Sequence, residues 1–595
     1  MKAPTFEQIR SALAEGDSKN AYASLHPLLG RRASAPKDVE EKVREKCREF
    51  DSVPLEVMSY SLFKRFDTPG DGDRKVYEDV YFNKYCARLS AYGSLMLISG
   101  EGKEGLENAL WAISDLYTWS LPAHMGRVSL VPHTDPNKRD VRYTVDLFAA
   151  MLAADIAEAL YLFEDRLSPI VVKRVKDCLK KRIFDQMENT KELFFWEANC
   201  DTNWASVCAG SIGCAAIYLF KDADTIAPLI HRMCLAMEKY FTGFGKDTVC
   251  DEGISYWTYG FRHFIYFADL LKLRTAGAID LFDSPRVKAV AGFPEKAMLN
   301  GPYGASFADC APEVRLVPNM YIRLKQAYPE LKAPSDDALM NITFDKSFAY
   351  MTRIMYWHGL EAEGFAPGTF IFPNTQWLIQ RCADCAFAAK GGHNQEKHNH
   401  NDVGSFILQL GKESVFTDIG PGEYNNDYFG PGRYRCFNAC SRGHSVPIVN
   451  GEYQKDGVRR AAEDVRLCET DTGCEFYADI SKAYGTEGLE ALTRRITFTP
   501  NEKAMLHLED RAVFSHCTGF TERFITPLEP VWQKGALVLG KKVKLTFNQD
   551  PGRVNFFRQA YRIQDGRGTE KHTWVIDVNC PCDANIRFEM TAEAL

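Results

Sequence analysis

The chain has 595 residues, of which 45% are hydrophobic and 25% are charged, a composition typical of a globular protein with more than one hydrophobic core. Its formal net charge of -7 argues against a nucleic-acid partner, because no overall surplus of cations is available to neutralise phosphates. The sequence has no run of about 18 apolar residues, so it predicts no membrane span.

The N-terminal stretch and the cysteines bear on where the protein works. Residues 1–22 lack the apolar core of a signal peptide. The 18 cysteines are scattered, and the close pairs in "CADC", "CFNAC" and "CPC" differ in spacing, which disfavours a four-cysteine zinc site. We therefore expect a cytoplasmic protein with reduced thiols, or a periplasmic or secreted protein whose leader has been removed.

From about residue 5 to residue 340 the apolar residues follow a helical period. In the stretch that begins at Ser168, this serine is expected to cap a helix and Pro169 to occupy its first turn. Other helices are predicted at 90–117, 143–163, 204–220, 224–241 and 257–274. Consecutive helices with short links pack antiparallel, and many such pairs form a solenoid or a closed toroid.

After about residue 345 the period changes to two, and short apolar and polar alternations break at Gly, Asn, Pro or Asp. Regularly spaced short strands of this kind predict an antiparallel β-sandwich. The predicted architecture is therefore α+β and multidomain. An (α/α) toroid occupies residues 1–345, an antiparallel β-sandwich occupies residues 346–595, and a cleft lies between them.

The stretch "KHNHNDVGSF" (residues 397–406) places metal-capable and proton-capable groups at the start of a predicted strand. In a strand, His398, His400 and Asp402 would share one face, and Asn399 and Asn401 the other. A strand is not expected to carry so many polar groups without a functional reason.

Two further segments extend this cluster. Asp418 lies in "FTDIG" and His444 in "SRGHSVPIVNGEYQ", so three predicted strands supply imidazoles and a carboxylate. Two imidazoles and one carboxylate suit a zinc site with open positions. On spacing alone, the alternative is a hydrogen-bonded polar patch under a loop.

Two motifs in the helical part complete the set. In "WEANCDTNWASVC", Asn203 and Trp204 introduce a helix, and Asn203 alone is most simply its N-cap. "DEGISYWTYGFRHF" begins a later helix, where aromatic packing between helices is the simplest interpretation. This third motif contributes Tyr256, Trp257, Tyr259, Arg262 and His263.

Taken in order, the three motifs resemble the heparinase II/III-like polysaccharide lyases, which combine an (α/α) toroid with an antiparallel β-sandwich. The resemblance covers most of the chain after about residue 80 and is most specific at "KHNHNDVGSF…FTDIGPGEY" and "GHSVPIVNGEYQ". The chain has "DTNW" where a doubled Asn is usual, and "GHS" where many members have "HN". These departures bear on the substrate more than on the class of reaction.

The resemblance implies cleavage of a uronic-acid-containing glycan by β-elimination at the bond to O4. The substrate would be an acidic polysaccharide or oligosaccharide, either a glycosaminoglycan such as heparin or heparan sulfate, or alginate. Asn203 matches the amide that neutralises the uronate carboxylate, and His398 matches the catalytic histidine. Tyr259 matches the catalytic tyrosine, and Tyr256, in the same turn, is its alternative.

The resemblance also implies a metal. His400, Asp418 and His444 match the metal-binding residues of the family, which usually hold zinc in a structural role. Asp402 is then expected to orient one of the imidazoles from behind. Candidate substrate-binding residues, with the cations positioned for a carboxylate or a sulfate, are Trp204, Tyr256, Arg262, His263, Arg433 and Arg435.

Two other functions fit parts of the pattern. A glycoside hydrolase on an (α/α) barrel needs two opposed carboxylates, and the best pair is Asp251 and Glu252 in "CDEG", which are adjacent in sequence. A catalytically inactive glycan-binding protein on the lyase scaffold is the other. Elimination creates a conjugated double bond that absorbs ultraviolet light, hydrolysis creates reducing ends without it, and a binding protein creates neither.

Overall fold

The computed structural model describes residues 1–68, 72–125, 140–188, 193–198, 200–500, 505–565 and 568–595. Its N-terminal part is helical, and its C-terminal part is built from antiparallel strands. The helices of the first part are α1 (Phe6–Ser18), α2 (Lys37–Ser52), α3 (Tyr60–Phe63), α4 (Lys75–Val80), α5 (Ala87–Ile98), α6 (Lys103–Asp115), α7 (Leu147–Phe163), α8 (Pro169–Leu179), α9 (Asp185–Glu188), α10 (Phe195–Ala198), α11 (Asn203–Leu219), α12 (Ala223–Thr242), α13 (Ile254–Arg274), α14 (Pro285–Ala291), α15 (Phe293–Ala297), α16 (Pro318–Ala327) and α17 (Phe348–Tyr356).

The helical part is organised around α11. This helix carries small and apolar residues on every side, and it packs on α7, α12 and α13. α1 packs on α12, α5 packs on α2 and α6, and α17 packs on both α5 and α7. Helices that follow one another in the chain are thus frequent neighbours in space, as short links require. Their closure into a complete toroid stays a prediction.

Most predicted helices occur where the sequence placed them, with two differences. The predicted helix 90–117 is divided into α5 and α6, because Gly100 and Gly102 adopt φ values of 82° and 87° between them. Pro169 begins α8 as predicted, but the side chain of Ser168 makes no capping hydrogen bond. Its backbone N–H donates to Glu107 Oε1 at 2.6 Å instead.

The strands begin after α17, which itself follows the predicted boundary at residue 345. The position of that domain boundary stays a prediction. The strands are β1 (Gly368–Phe372), β2 (Trp377–Arg381), β3 (Cys385–Lys390), β4 (His393–Asn394), β5 (Phe406–Leu410), β6 (Glu413–Phe416), β7 (Ile448–Val449), β8 (Gly457–Ala461), β9 (Glu463–Thr470), β10 (Gly473–Asp479), β11 (Leu489–Thr499), β12 (Met505–Phe514), β13 (Phe520–Thr526), β14 (Pro530–Gln533), β15 (Ala536–Leu539), β16 (Val543–Phe547), β17 (Val554–Arg562), β18 (Glu570–Cys580) and β19 (Asn585–Ala594).

Within the described residues these strands form four antiparallel sheets. Their orders are β1-β2-β3-β5-β6, β14-β15-β16-β19-β12-β11-β10-β9, β17-β18-β13-β7 and β4-β8. One hydrophobic core joins the three larger sheets, with Phe387 from the first, Ile496 and Phe588 from the second, and Phe524 from the third. β11, β12 and β19 alternate buried and exposed residues, as the period of two predicts.

The β1-β2-β3-β5-β6 sheet joins the two parts of the molecule. In β2, Trp377 and Ile379 belong to the core of the helical part, whereas Leu378 between them belongs to the core of the β part. β2 and β3 are consequently buried along their whole length. The predicted alternation of apolar and polar residues is wrong for these two strands, because both faces of the sheet are covered.

A buried ionic cluster connects the sandwich interior to two loops. Arg494 in β11 donates from Nε to Asp510 Oδ1 at 3.0 Å and from Nη2 to Glu522 Oε2 at 2.9 Å. Its Nη1 donates to the carbonyl oxygens of Gly404 at 3.0 Å and Ser445 at 2.8 Å. These carbonyls directly follow the "HNHND" stretch and His444. A buried side chain thus sets the position of both histidine-bearing loops.

All eighteen cysteines lie in described residues and are free thiols. Among the same residues, none of the helices combines the length and the apolar character that crossing a membrane requires.

Arg494→Leu is expected to lower the free energy of unfolding by about 3–5 kcal/mol, because it leaves buried carboxylates without their cation. Denaturant unfolding monitored by circular dichroism measures the change. Arg511→Leu on β12 is the matched control, because this arginine pairs with Glu509 and its side chain is 60% exposed. An exposed pair contributes about 0–1 kcal/mol. Equal losses in the two variants would contradict the structural role of Arg494.

Candidate active site and metal site

A cleft of about 720 Å³ lies where the first turns of α11 and α13 meet the loops that follow β4 and β6. Its size and its mixture of aromatic and charged lining are typical of a site for a small organic ligand or a short segment of a polymer. Six residues that the sequence indicated line this cleft: Asn203, Trp204, Tyr256, Tyr259, Arg262 and His398.

Asn203 begins α11 and lies at the cleft wall. The N-cap of this helix is Thr202, so the interpretation of Asn203 as the N-cap is wrong. The buried Asn203 amide instead donates from Nδ2 to Oε2 of Glu252 at 3.1 Å. One amide N–H therefore fixes the side chain, and the other N–H and the carbonyl oxygen are left for a ligand.

The start of α13 places three predicted residues along the cleft. Gly253 precedes the helix with a φ of 90°, and a Cβ at this position would lie 2.4 Å from Cys310 Cβ. Tyr256, Tyr259 and Arg262 then follow at intervals of three residues, so they lie on one side of the helix and line the cleft. The close approach at Gly253 brings the helix start against the loop that contains Cys310.

His398 lies in an irregular loop, not in a strand. β5 begins only at Phe406, so the predicted strand face shared by His398, His400 and Asp402 is wrong. His398 has a φ of 53°, a left-handed conformation that costs about 1–3 kcal/mol in a residue with a side chain. Surrounding contacts must hold the residue in this conformation.

A carboxylate that the sequence did not indicate supplies those contacts. Asp309 Oδ2 accepts from His398 Nδ1 at 2.7 Å, and Oδ1 accepts from His400 Nε2 at 3.0 Å. Oδ1 also accepts from the hydroxyl of Tyr428 and from Arg433 Nη2, the latter at 3.1 Å. Burial alone would raise the pKa of Asp309, but hydrogen bonds from both histidines and the charge of Arg433 hold it well below its usual value.

The other ring nitrogen of His398 faces a second carboxylate. Nε2 lies 3.5 Å from Glu252 Oε1, which is buried and has no hydrogen-bond partner among the described residues. Burial lowers the pKa of His398, but the hydrogen bond and charge of Asp309, together with the charge of Glu252, raise it overall. These contacts form a continuous polar chain along the cleft wall, in the order Asn203, Glu252, His398 and Asp309.

The two tyrosines of α13 have different surroundings. The Tyr256 hydroxyl lies 2.6 Å from the Tyr424 hydroxyl and 3.4 Å from His398 Nδ1. The Tyr259 hydroxyl has only the thioether of Met151 as a partner among the described residues, at 3.7 Å. Burial raises the pKa of both phenols, so both keep their protons near neutral pH.

His400, Asp418 and His444 come together in a buried cluster whose nitrogen and oxygen atoms lie within 4.8 Å of one another. His444 Nδ1 is 3.2 Å and His400 Nδ1 is 4.0 Å from oxygens of Asp418. Both Nδ1 atoms and Asp418 Oδ2 are buried without a hydrogen-bond partner among the described residues. Three buried atoms without partners, this close to one another, fit a bound cation, which would satisfy all of them.

The remaining ring nitrogens of this cluster are held from behind. His400 Nε2 donates to Asp309, and His444 Nε2 donates to the carbonyl oxygen of Asn438 at 2.8 Å. The expectation that Asp402 orients an imidazole is wrong, because Oδ1 accepts from the buried amine of Lys390 at 2.8 Å and Oδ2 has no hydrogen-bond partner among the described residues. The orienting groups are Asp309 and a backbone carbonyl.

Three of the predicted substrate-binding residues lie away from the cleft lining. His263 is buried beside Ser211, and its burial lowers its pKa well below the usual value. Arg433 donates to Asp309 and to the carbonyl oxygen of Asn399, at 3.1 and 3.0 Å. Arg435 lies at the end of the short helical turn Arg433–Arg435 and is exposed.

Several cleft residues carried no signal in the sequence. Phe429 comes from the long loop after β6, and Arg74, His124 and Lys346 contribute further cationic or ionisable groups. Tyr424, in the same loop, ends the quoted stretch "FTDIGPGEY" but was not itself indicated as a site residue. Asp309 lies in "FADCAP", a stretch without recognisable motif or period. A histidine that binds a metal usually donates its second N–H to a carboxylate. This rule indicated that a carboxylate would lie behind His400, but it did not indicate which one.

The sequence of residues 377–554 matches the family model described as Heparinase II/III-like, C-terminal. The match confirms, for this part of the chain, the resemblance that its motifs indicated. No curated protein sequence matches the chain.

Solved structures of polysaccharide lyases share the fold of the chain. Heparinase III has a TM-score of 0.62 and 12% identity, with 95% of this chain and 86% of that chain covered. A heparan sulfate lyase from Pedobacter heparinus has a TM-score of 0.53 and 12% identity, covering 93% and 88%. The Streptomyces coelicolor A3 chondroitin AC lyase, solved in complex with chondroitin sulphate, has a TM-score of 0.54 and 12% identity, covering 99% and 82%. At this identity the likeness shows a common fold.

Gly260→Ala is expected to destabilise the protein by about 1–3 kcal/mol through overpacking. A Cβ at this position of α13 would lie 2.8 Å from the Tyr240 hydroxyl and 3.0 Å from Asn203 Cβ. Gly292→Ala is the control, because its nearest neighbour would lie at 3.6 Å. Thermal unfolding of both variants measures the difference. If Gly260→Ala melted like Gly292→Ala, close contact between α13 and Asn203 would not be needed.

Proposed function

We propose that the protein is a lyase that cleaves uronic-acid-containing polysaccharides or oligosaccharides by β-elimination. The observation that carries this proposal is the meeting of Asn203, His398 and the α13 tyrosines in one cleft, although these residues are far apart in the sequence. Together they supply the amide, the imidazole and the phenol that the elimination needs. The names of the structural neighbours, heparinase III, heparan sulfate lyase and chondroitin AC lyase, favour a glycosaminoglycan as the substrate.

In the proposed reaction, the amide of Asn203 donates to the uronate carboxylate and stabilises the negative charge that develops as C5 loses its proton. His398 accepts this proton through Nε2, because Nδ1 is held by Asp309. The electron pair of the C5–H bond forms the C4=C5 double bond, and the C4–O4 bond breaks. The leaving O4 takes a proton from a tyrosine.

Tyr259 is our proposed acid. Its raised pKa keeps the phenol protonated, and its hydroxyl is bonded only weakly, to a thioether, so it is available to a sugar oxygen. Tyr256 is the alternative, because it lies closer to His398. In that case Tyr424 would reprotonate Tyr256 after the reaction, because their hydroxyl oxygens lie 2.6 Å apart.

Cationic groups in the cleft support an acidic substrate. The guanidinium of Arg262 lies 5.1 Å from the centre of the Tyr350 ring, and its Nε has no hydrogen-bond partner among the described residues. The amine of Lys346 lies 4.4 Å from the centre of the Phe82 ring, also at the cleft. Both cations are positioned to bind a carboxylate or a sulfate.

The hydrolase alternative finds less support. Burial raises the pKa of Asp251 to about 7, a value suited to a general acid. However, neither Asp251 nor Glu252 lines the 720 Å³ cleft, and Glu252 is bonded to Asn203. A pair of carboxylates that flanks a glycosidic bond must reach the sugar from both sides.

We also propose that His400, Asp418 and His444 bind one divalent cation, and zinc matches two imidazoles and a carboxylate best. Bound zinc would link three segments of the β part behind the cleft, in a structural role. The three orphaned buried atoms support this proposal, since they are otherwise costly to bury.

Tyr259→Phe and His398→Ala are each expected to lower kcat by ~10²–10⁴-fold, because each removes a proton-transfer group. Asn203→Ala is expected to cost ~10²–10³-fold, because it removes one donor to the developing charge. The measurement is ultraviolet absorbance of the unsaturated product on heparin, heparan sulfate, chondroitin sulfate and alginate, with a melting curve for each variant.

The tyrosine assignment has its own controls. Tyr60→Phe changes a tyrosine that is 69% exposed and should leave the rate unaltered. If Tyr256→Phe were inactive while Tyr259→Phe kept its rate, Tyr256 would be the acid. Wild-type rates in both variants would contradict the mechanism. Reducing ends without ultraviolet absorbance would indicate a hydrolase, and binding without turnover would indicate an inactive scaffold.

Purified protein is expected to contain about one zinc per chain, and chelation should lower its Tm, because metal binding contributes folding free energy. His444→Ala should lose the metal and the response to chelator, since it removes one of the three ligand atoms. His572→Ala, on an exposed part of β18, is the control. Plasma mass spectrometry and melting curves provide the readouts. Metal-free protein with a chelator-independent Tm would exclude the site.

A further inference from the structure

We infer that Asp309 is a positioning residue that holds the catalytic imidazole of His398 and the metal-binding imidazole of His400 on one carboxylate, and so couples the two centres. This inference rests on the proposed lyase function for its His398 half. Asp309 lies outside every motif that the sequence indicated, and it supplies none of the three ligand atoms of the metal cluster. Its effect would pass entirely through the two histidines.

The hydrogen-bond geometry assigns a separate oxygen to each histidine. Oδ2 accepts from His398 Nδ1 at 2.7 Å, and Oδ1 accepts from His400 Nε2 at 3.0 Å. Because a carboxylate only accepts, each of these ring nitrogens carries a proton. The lone pair of His400 is thereby directed through Nδ1 towards Asp418 and His444. The Nε2 atom of His398, which lies 3.5 Å from Glu252 Oε1, is the ring nitrogen that can exchange a proton with the substrate.

The carboxylate itself is held rigidly. Arg433 Nη2 and the Tyr428 hydroxyl both donate to Oδ1, and Asp309 is only 2% exposed. The preceding residue, Ala308, has a φ of 59°, so the loop is fixed in a left-handed conformation. Ser306 in the same loop donates to the carbonyl oxygen of Asp418 at 3.4 Å. The loop therefore contacts the metal cluster and the catalytic histidine together.

The contact with His398 also explains the strained backbone of the catalytic loop. The left-handed conformation of His398 needs a compensating interaction, and the 2.7 Å bond to a buried carboxylate is shorter than the 3.4 Å contact of the same nitrogen with Tyr256. His400 follows two residues later with the other oxygen of the same carboxylate. One group thus fixes both ends of the turn "HNH".

Asp309→Asn tests the coupling, because it keeps the size of the side chain and removes one acceptor. The variant is expected to bind zinc about 10–100-fold more weakly than wild type, as for loss of a group behind a metal ligand. A competition titration with a chromophoric chelator measures this affinity without any need for activity. With zinc saturating, kcat should remain at least ~10²-fold below wild type while KM changes little, because His398 stays misplaced.

Asp577→Asn is the matched control. This aspartate forms a two-pronged, largely buried pair with Arg523 in the four-stranded sheet, at 2.7 Å from both nitrogens, and it lines no part of the cleft. Its zinc affinity and kcat should equal those of wild type even if its Tm falls. Wild-type zinc affinity in Asp309→Asn would overturn the coupling. Full recovery of kcat at saturating zinc would also overturn it, because Asp309 would then act on the metal alone.

A spectroscopic measurement on the wild type covers the case in which Asp309→Asn does not fold. In protein labelled with ¹⁵N-histidine, the resonances of His398, assigned by comparison with His398→Ala, should show a protonated Nδ1. Those of His400 should show a protonated Nε2 in the zinc-loaded protein. An unprotonated nitrogen at either position would overturn the inference. If no uronate glycan were cleaved, the proposed function would fail, while the zinc titration and the spectrum would still decide the role of Asp309.

Discussion

The architecture depends on one sheet that is buried on both of its faces. Strands β2 and β3 direct alternate side chains into the helical core and into the β core, so the two parts of the molecule share a layer. Separation of the parts would expose apolar surface on both sides of this layer. The cleft has one wall made of helices and one made of loops. Besides the shared layer, hydrogen bonds from Tyr256 to Tyr424 and from His398 to Asp309 connect these walls.

Within this frame, the site follows from the need to pair buried charges. Glu252 and Asp309 lie on opposite sides of His398, Asn203 anchors Glu252, and Arg433 balances Asp309. On the far side, His400 continues the same chain to Asp418 and His444. Each group is held by the next. This explains how an irregular loop can hold the imidazole of His398 in one position. The cluster of His400, Asp418 and His444 and the cleft wall around His398 are thus parts of one network.

The sequence predicted the elements whose patterns are local. The helix over 204–220 and the short antiparallel strands after residue 345 follow from periodicity, and the family motifs indicated His398, His400, Asp418 and His444. The predictions from sequence were wrong where contacts between residues distant in the chain determine the local structure. "KHNHND" precedes apolar residues and so resembles a strand start, but bonds to Asp309 hold it as a loop. Asp402 has the right spacing to support a histidine, but its carboxylate accepts a hydrogen bond from Lys390 instead. Asp309 itself belongs to no pattern, because its role comes from contacts distant in sequence.

The central place of β19 in the eight-stranded sheet has a consequence for biogenesis. β19 lies between β12 and β16, although it follows the site loops by many residues in the chain. β12 carries Asp510, the partner of Arg494, and Arg494 in turn fixes the carbonyls beside the two histidine-bearing loops. On the ribosome, the helical part is therefore expected to collapse early through local contacts, whereas the sheet that carries Arg494 and Asp510 is completed only after β19 has emerged. Uptake of the proposed cation is then expected late in the synthesis of each molecule.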